Sequence, residues 1–290
     1  MEIKRDSYLE QLKIRKDNGM IKIITGIRRC GKSFLLFVLF KKYLLESGVD
    51  NDHIIEIALD GIENEELRDP KKCYQHIKDA MKDDQKYYLL LDEVQFMSRF
   101  EEVLNSLLRI SNIDVYVTGS NAKMLSSEIA TTLGGRFLIQ EVYPYSFREF
   151  LLSQDIILKT NWLYTPSLRN EVVRTFDAYF YNGGFPELIA FKDKRSWLSG
   201  LYQKIFFGDL VVRYALRNSD SMSLLVKKLA ESVMQPSSYN RLKNIVSSAG
   251  ESVGVRTVID YVGYLEETWL IFSIENYAAR FAERESNRKY

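Results

Sequence analysis

The feature that most constrains the fold is the run Gly26-Ile27-Arg28-Arg29-Cys30-Gly31-Lys32-Ser33, which lies between an apolar strand and an apolar helix. Two glycines separated by four residues and followed by Lys and Ser are typical of a phosphate-binding loop. Glycines let backbone N–H groups turn toward phosphate oxygens, and the helix N-terminus adds a partial positive charge. Lys32 can reach the β- and γ-phosphates, and the Ser33 hydroxyl can ligate Mg²⁺. The run, together with Phe34, therefore predicts a nucleoside triphosphate site.

Composition excludes several other classes of protein. The 290-residue chain is 46% hydrophobic, and its 40 basic and 39 acidic residues give a net charge of +1, so no overall field favours nucleic acid or an anionic membrane. No apolar run is long enough to cross a bilayer, and the N-terminus does not have the pattern of a signal peptide. The two cysteines have no metal-ligand or disulfide spacing. These observations predict a cytoplasmic protein.

Cys30 allows two interpretations. It lies in the loop beside Arg29 and Lys32, whose charges could lower the pKa of its thiol and make the site sensitive to oxidation. The alternative is that this loop position only requires a small side chain.

The order of strand and helix patterns predicts an α/β fold. Strands are predicted at residues 21–25, 54–59, 87–93, 114–118 and 137–142, and helical segments alternate with them. Such alternation indicates a mostly parallel sheet with helices on both faces. We therefore predict one nucleotide-binding domain at residues 1–145.

The remainder of the chain has a different pattern. Residues 146–218 read as helices only and predict a helical lid. Residues 219–290 contain three short helical segments, at 224–234, 239–248 and 255–267, and a strand-like run at 269–274. Three helices followed by a β element are typical of a winged helix.

Two carboxylates end the third predicted strand. Asp92 is suited to hold Mg²⁺, and Glu93 to orient and deprotonate an attacking water as general base. The alternative is a pair of acids that are solvated or that cap the following helix. The preceding phosphate-binding loop favours the catalytic interpretation, and Glu93 favours hydrolysis over binding alone.

Three further polar residues have alternative interpretations. Ser120 and Asn121 end the next strand, where either could contact the γ-phosphate or the attacking water, whereas Ser120 could also act as a helix N-cap. Arg136 follows two glycines just before the last strand. It could neutralise phosphoryl charge in a neighbouring subunit or form a surface ion pair of little consequence.

The motifs resemble those of a known family. The loop, Leu90-Leu91-Asp92-Glu93-Val94-Gln95 and Val117-Thr118-Gly119-Ser120-Asn121 occur in the order of the AAA+ ATPases. The Gly-x-Arg-Arg-x-Gly-Lys-Ser variant and three later runs resemble a prokaryotic group related to the archaeal-type ATPases. Those runs are Leu133-Gly134-Gly135-Arg136, Tyr143-Pro144-Tyr145-Ser146-Phe147-Arg148-Glu149-Phe150 and Gly183-Gly184-Phe185-Pro186-Glu187.

The resemblance implies a P-loop NTPase sheet of order 5-1-4-3-2, a helical lid and a winged-helix module. It gives Ser120 or Asn121 the sensor-1 role and Arg136 the role of a finger that reaches a neighbour's ATP in a homo-oligomer. Pro186 resembles a lid proline that contacts adenine.

The chain also departs from the family pattern. It has no convincing sensor-2 arginine in the lid, and relatives usually continue past the winged helix into a nuclease-like domain. Here the sequence ends at Arg288-Lys289-Tyr290. We therefore expect either a truncated chain or the absence of that activity.

The leading hypothesis is a Mg²⁺-dependent ATPase whose hydrolysis moves the lid and the winged helix. The alternative is an ATP-switched DNA-binding or protein-scaffold regulator with little turnover. Candidate DNA phosphate contacts are the basic residues of the predicted winged helix, Lys227, Lys228, Arg241, Lys243 and Arg256.

Overall fold

The protein divides into two compact units, Met1–Leu198 and Ser199–Tyr290, and each is described by itself. The computed structural model describes residues 3–120, 127–216, 219–233, 235, 237–248, 253–274, 278 and 289. The boundary between the units falls within a helix. The finer division into residues 1–145, 146–218 and 219–290 stays a prediction.

A five-stranded parallel sheet forms the centre of the first unit. Its strands are β1 (Ile21–Thr25), β2 (Ile54–Ala58), β3 (Tyr87–Asp92), β4 (Ile113–Gly119) and β5 (Phe137–Glu141). Their spatial order is β2-β3-β4-β1-β5. This is the predicted order 5-1-4-3-2 counted in the opposite direction, so the prediction is confirmed. Because all strands run in the same direction, their carboxyl ends meet at one edge of the sheet. The phosphate-binding loop follows β1 at that edge, Glu93 follows β3, and Ser120 follows β4.

Helices connect the strands and form the remainder of both units. The helix α2 runs through three consecutive segments, Lys32–Phe34, the π-helical Leu35–Phe40 and Lys41–Glu46. The other helices of the first unit are α1 (Asp6–Ile14), α3 (Pro70–Ala80), α4 (Phe100–Leu107), α5 (Ser127–Thr132), α6 (Phe147–Ser153) and α7 (Pro166–Asn182). The helix α8 (Lys194–Gln203) continues as the π-helical segment Lys204–Val212, and α9 (Ser219–Glu231), α10 (Tyr239–Ser248) and α11 (Val255–Glu267) follow. In the described part of the chain, no helix combines the length and hydrophobicity needed to span a membrane.

Alternate residues of the strands pack into two apolar layers, one on each face of the sheet. Ile23, Leu89 and Leu91 belong to the layer that also contains side chains of α3 and α4. Ile24 and Leu90 belong to the opposite layer, which contains side chains of α1 and α2. The continuous apolar runs of these strands follow from this burial on both faces, as expected for a parallel sheet.

The first unit also contains the beginning of the predicted lid. The helix α6 begins with a capping box, in which Ser146 accepts from the Glu149 backbone N–H and the Glu149 side chain accepts from the Ser146 N–H. Gly184 lies against the segment before this helix: its carbonyl accepts a hydrogen bond from the Tyr145 N–H at 2.7 Å. A β-carbon at Gly184 would lie 2.2 Å from the Tyr145 carbonyl oxygen, so this contact requires glycine.

The second unit has the three predicted helices, packed around an apolar cluster that includes Leu225, Leu242 and Val262. The prediction of a strand at 269–274 was wrong. The N–H groups of Trp269 and Leu270 donate to carbonyls of the last turn of α11, and Trp269 has a left-handed φ of 61°, so the chain turns instead of extending. The described β pairing in this region is one isolated bridge between Ile274 and Lys289.

Candidate active site

Two glycines with positive φ shape the loop after β1. Gly26 has φ 146° and Gly31 has φ 99°, a region in which other residues are strained. A β-carbon at Gly26 would lie 2.0 Å from the Val142 carbonyl oxygen. The loop therefore packs directly against the chain that leaves β5, and only a bare α-carbon fits there.

Lys32 is 4% exposed, and its charge is held inside the loop. Its Nζ donates to the carbonyl oxygens of Gly26 at 2.9 Å and Ile27 at 3.2 Å. The ammonium group thus lies within the curve of the backbone that the sequence predicts to surround phosphate oxygens. Lys32 is placed where an anion bound by this loop would meet a positive charge.

Asp92 lies beside Ser33 at the carboxyl edge of the sheet. Ser33 Oγ donates to Asp92 Oδ2 at 2.8 Å, and the Thr118 hydroxyl donates to Oδ1. Asp92 is 3% exposed, and this burial raises the pKa of its carboxyl, while the hydrogen bonds from Thr118 and Ser33 oppose the shift and the charge of Glu93 adds to it. A hydroxyl and a buried carboxylate are the oxygen donors that Mg²⁺ prefers, so this pair fits a magnesium ion.

Glu93 occupies a strained position immediately after β3. Its φ of 53° is left-handed, and its backbone N–H donates to Thr118 Oγ1 at 3.0 Å. Its Oε2 accepts hydrogen bonds from the Gln95 side-chain amide and from Ser120 Oγ at 3.3 Å. This backbone turn separates the two acids, so that Asp92 contacts Ser33 while Glu93 faces Gln95 and Ser120.

Ser120 is buried, at 3% exposure, and contacts Glu93 directly. The structure thus brings one of the two sensor candidates together with the acid pair. The other candidate, Asn121, lies outside the described residues, and so does the beginning of the helix predicted after it.

Arg29 and Pro186 connect the loop with the segment 183–187. Arg29 Nη1 lies 2.8 Å from Glu187 Oε2, and its guanidinium lies over the Trp197 ring at 5.4 Å from the centroid. A β-carbon at Gly31 would lie 3.8 Å from Pro186 Cγ. The structure therefore places Pro186 beside the loop; its contact with adenine stays a prediction.

The remaining loop residues differ in exposure. Ile27 and Arg28 are half-buried, Phe34 is 38% exposed, and Cys30 is fully buried. Burial raises the pKa of the Cys30 thiol and outweighs the lowering by Lys32 and Arg5. Of the two interpretations, the structure therefore favours the one in which this loop position only requires a small side chain, and the buried thiol is poorly suited to oxidation.

Arg136 lies away from the loop of its own chain. Its carbonyl oxygen accepts a hydrogen bond from the Ile21 N–H at 3.1 Å, which places it at the amino end of β1, opposite the edge that carries the loop. Its exposed guanidinium donates to Asn105 Oδ1 at 3.1 Å and to the Leu133 carbonyl at 3.3 Å. If Arg136 contacts ATP, that ATP must therefore be bound to another subunit.

Sequence reasoning missed three residues of the site. Thr118 bridges Asp92 and Glu93, and Gln95 contacts Glu93. Arg5 is 3% exposed and donates to the carbonyls of Cys30 at 2.7 Å and Tyr143 at 2.6 Å. The position of Thr118, at the end of the strand beside the acid-bearing one, was a usable signal, but nothing in the sequence marked Arg5.

In the described part of the second unit, ion pairs involve the candidate DNA contacts Lys228 and Arg256. Lys228 lies 3.4 Å from Glu231, and Arg256 lies 3.3 Å from Asp260. These neighbouring carboxylates reduce the positive potential available to a phosphate backbone.

Two family models match the sequence. One is described as an AAA domain and matches residues 18–151, the part that contains the loop and the acid pair. The other is described as a domain of unknown function (DUF8612) and matches residues 173–290.

Similar proteins occur in bacteria and archaea. An uncharacterized protein of Haemophilus influenzae is 31% identical over 281 residues, which cover 96% of this chain and 68% of that protein. Uncharacterized protein MJ1544 of Methanocaldococcus jannaschii is 28% identical over 274 residues, covering 92% of this chain and 59% of that protein. The chain thus spans about three fifths to two thirds of these relatives.

The fold also occurs among solved structures. The Aeropyrum pernix ORC2 protein in its ADP form superposes with a TM-score of 0.51 and 14% sequence identity, covering 94% of this chain and 88% of that chain. At this identity the similarity concerns the fold alone.

Proposed function

The chain belongs to the AAA+-like P-loop ATPases of the archaeal-type group, and from this membership we propose that it binds ATP with Mg²⁺ and hydrolyses it. The observation that carries the proposal is the meeting of Ser33, Asp92 and Glu93 at the sheet edge that bears the loop. The ADP form of the Aeropyrum pernix protein, which has the same fold, supports an adenine nucleotide.

In this proposal the loop binds the phosphates. Backbone N–H groups between Gly26 and Ser33 donate to phosphate oxygens, and Lys32 exchanges its loop carbonyl partners for the β- and γ-phosphates. Ser33 and Asp92 would hold Mg²⁺, which when bound would neutralise charge that develops on the phosphate oxygens. Ile27, Arg28, Arg29, Cys30 and Phe34 complete the loop, and Pro186 contacts the adenine.

Glu93 acts as the general base. As the oxygen of a water molecule bonds to the γ-phosphorus, Glu93 takes a proton from that water. The bond between the γ-phosphorus and the bridging oxygen breaks, and its electron pair leaves with ADP. Ser120, with Asn121 as the alternative, contacts the water or the γ-phosphate.

We also propose that hydrolysis is coupled to movement of the lid and the C-terminal helical module, in a homo-oligomer in which Arg136 reaches a neighbour's ATP. The exposed position of Arg136, opposite its own loop, supports this role. The alternative is a switch with little turnover that controls contact with DNA or protein. Binding to DNA and the cytoplasmic location remain predictions from the sequence.

Phosphate release with and without Mg²⁺ tests the proposed function. We expect turnover by the parent chain that stops when Mg²⁺ is chelated and when Glu93→Gln removes the base. Glu46→Gln is a matched control, since Glu46 is an exposed glutamate at the end of α2 that is farthest from the loop. Equal turnover by Glu93→Gln and the parent would contradict the assignment of Glu93, and a parent that binds ATP without releasing phosphate would favour the switch.

A further inference from the structure

Gln95 lies next to the proposed general base and is not explained by the roles given above. It follows Glu93 by two residues, in the short 3₁₀ turn Val94–Phe96. Its Nε2 donates to Glu93 Oε2 and lies 3.2 Å from Ser120 Oγ. Ser120 Oγ in turn donates to the same carboxylate oxygen at 3.3 Å. The three side chains therefore form a closed cluster in which two donors hold one oxygen of Glu93.

The orientation of the Gln95 amide is determined by Glu93. Its Oε1 is buried and has no hydrogen-bond partner among the residues that the structure describes. Leaving a buried acceptor unpaired is unfavourable, yet reversing the amide would place Oε1 against the carboxylate oxygen, and two acceptors repel each other. The contact with Glu93 thus outweighs the unpaired oxygen, which indicates that Gln95 is held there by the carboxylate.

The backbone explains why the carboxylate needs such support. Glu93 lies beyond the end of β3 with a left-handed φ of 53°, so the strand does not fix the direction of its side chain. The Thr118 hydroxyl accepts from the Glu93 N–H and donates to Asp92, and therefore fixes only the main chain. The rotamer of the Glu93 carboxylate depends on Gln95 and Ser120.

We propose that Gln95 is a positioning residue for ATP hydrolysis: it anchors Oε2 of Glu93 so that the other oxygen, Oε1, takes the proton from the attacking water. This inference rests on the proposed function, because it assumes that Glu93 is the base. The bonds that form and break are those given above, and Gln95 itself exchanges no proton. A base held in one orientation spends a larger share of its time in reach of the water.

The test is the steady-state kinetics of Gln95→Leu, which keeps a side chain of similar size and removes the oxygen and the nitrogen of the amide. We expect kcat to fall about tenfold or more, a fraction of the total effect of a general base, while KM and the affinity for Mg²⁺-ATP stay within about twofold. Gln75→Leu is the matched control, because Gln75 is an exposed glutamine on α3 whose amide donates to Asp79, and it should leave both constants unchanged.

A second variant and a double variant separate positioning from folding. Gln95→Asn keeps the amide but is one methylene shorter, so it cannot reach Glu93 and should lose kcat to a similar extent. In the Glu93→Gln background, adding Gln95→Leu should cause no further loss of the single-turnover rate, because the base through which Gln95 acts is gone.

The outcomes are distinguishable. If the parent turns over and both Gln95 variants keep its kcat, or if the double variant loses activity additively, the positioning role is refuted while the proposed function stands. If the folded parent binds ATP and does not hydrolyse it, the proposed function and the role of Gln95 both fail.

Discussion

Replacing Gly26 by alanine tests the shape of the phosphate-binding loop. The added methyl group would lie 2.0 Å from the Val142 carbonyl oxygen. A carbon and an oxygen that are not bonded need roughly 3.3 Å, by the usual range of carbon–oxygen contacts. The methyl carbon and the carbonyl oxygen would therefore overlap by more than about 1 Å. The loop or residue 142 must move by about this distance.

Neither partner can move freely. The Val142 N–H donates to the Thr25 carbonyl at 2.7 Å, which holds the end of β5 against the residue before the loop. Overpacking costs about 1–3 kcal/mol, and a non-glycine residue forced into this φ region costs about 1–3 kcal/mol. A single displacement relieves part of the overpacking and part of the backbone strain. We therefore expect the free energy of unfolding to fall by about 3 kcal/mol.

The measurement is urea unfolding together with titration of a fluorescent ATP analogue. Gly19→Ala is the matched control, because Gly19 also has a positive φ of 73° but no atom lies within 4 Å of the position that an added methyl group would take. That variant should lose about 1–2 kcal/mol of stability, the cost of a left-handed non-glycine residue, and bind the analogue as the parent does. Gly26→Ala should bind it at least about tenfold more weakly, since a loop displaced by about 1 Å loses several phosphate contacts.

Equal behaviour of the two variants would refute the expected cost. If Gly26→Ala unfolds at the same urea concentration as Gly19→Ala and binds the analogue with parental affinity, the close approach of Gly26 to residue 142 has no energetic consequence.

Two more variants test the carboxylate of Asp92 and the proposed contact of Arg136 with a neighbour's ATP. Asp92→Asn should raise the free energy of unfolding at neutral pH while abolishing Mg²⁺-dependent binding of ATP, because burial raises the pKa of Asp92 above its ordinary 3.8. The folded state then binds a proton more readily than the unfolded chain does. The parent's lower free energy of unfolding, relative to the variant, should therefore approach that of the variant as the pH falls through the raised pKa, and the difference should vanish below pH 3.8. A variant less stable than the parent at neutral pH would contradict this. Arg136→Ala should abolish the rise of specific turnover with protein concentration while leaving ATP binding intact, and an unchanged concentration dependence would exclude a finger in trans.

The sheet could be predicted well from the sequence because the signals there are local. The strands β1, β3 and β4 are apolar runs followed by distinctive polar groups, and parallel strands bring those groups to the same end of the sheet whatever the details of packing. At that end of the sheet Ser33 therefore contacts Asp92, and Ser120 contacts Glu93.

Other features depended on contacts that sequence spacing does not reveal. The burial of Cys30 reflects its packing with α1 and α2, which outweighs the charges beside it in sequence. Residues 269–274 have strand composition, yet the carbonyls at the end of α11 capture the N–H groups of Trp269 and Leu270. Arg5 reaches the loop from a segment 25 residues before Cys30, and Gln95 contacts Glu93 only because the backbone turns after β3.

The nucleotide that stays on the protein reports whether Glu93 drives hydrolysis. Parent chain and Glu93→Gln are each incubated with Mg²⁺ and ATP, freed of unbound nucleotide and denatured, and the released nucleotide is separated by chromatography. We expect mainly ADP from the parent and intact ATP from Glu93→Gln, with similar total occupancy. ADP from both proteins in equal proportion would contradict a role for Glu93 as the base.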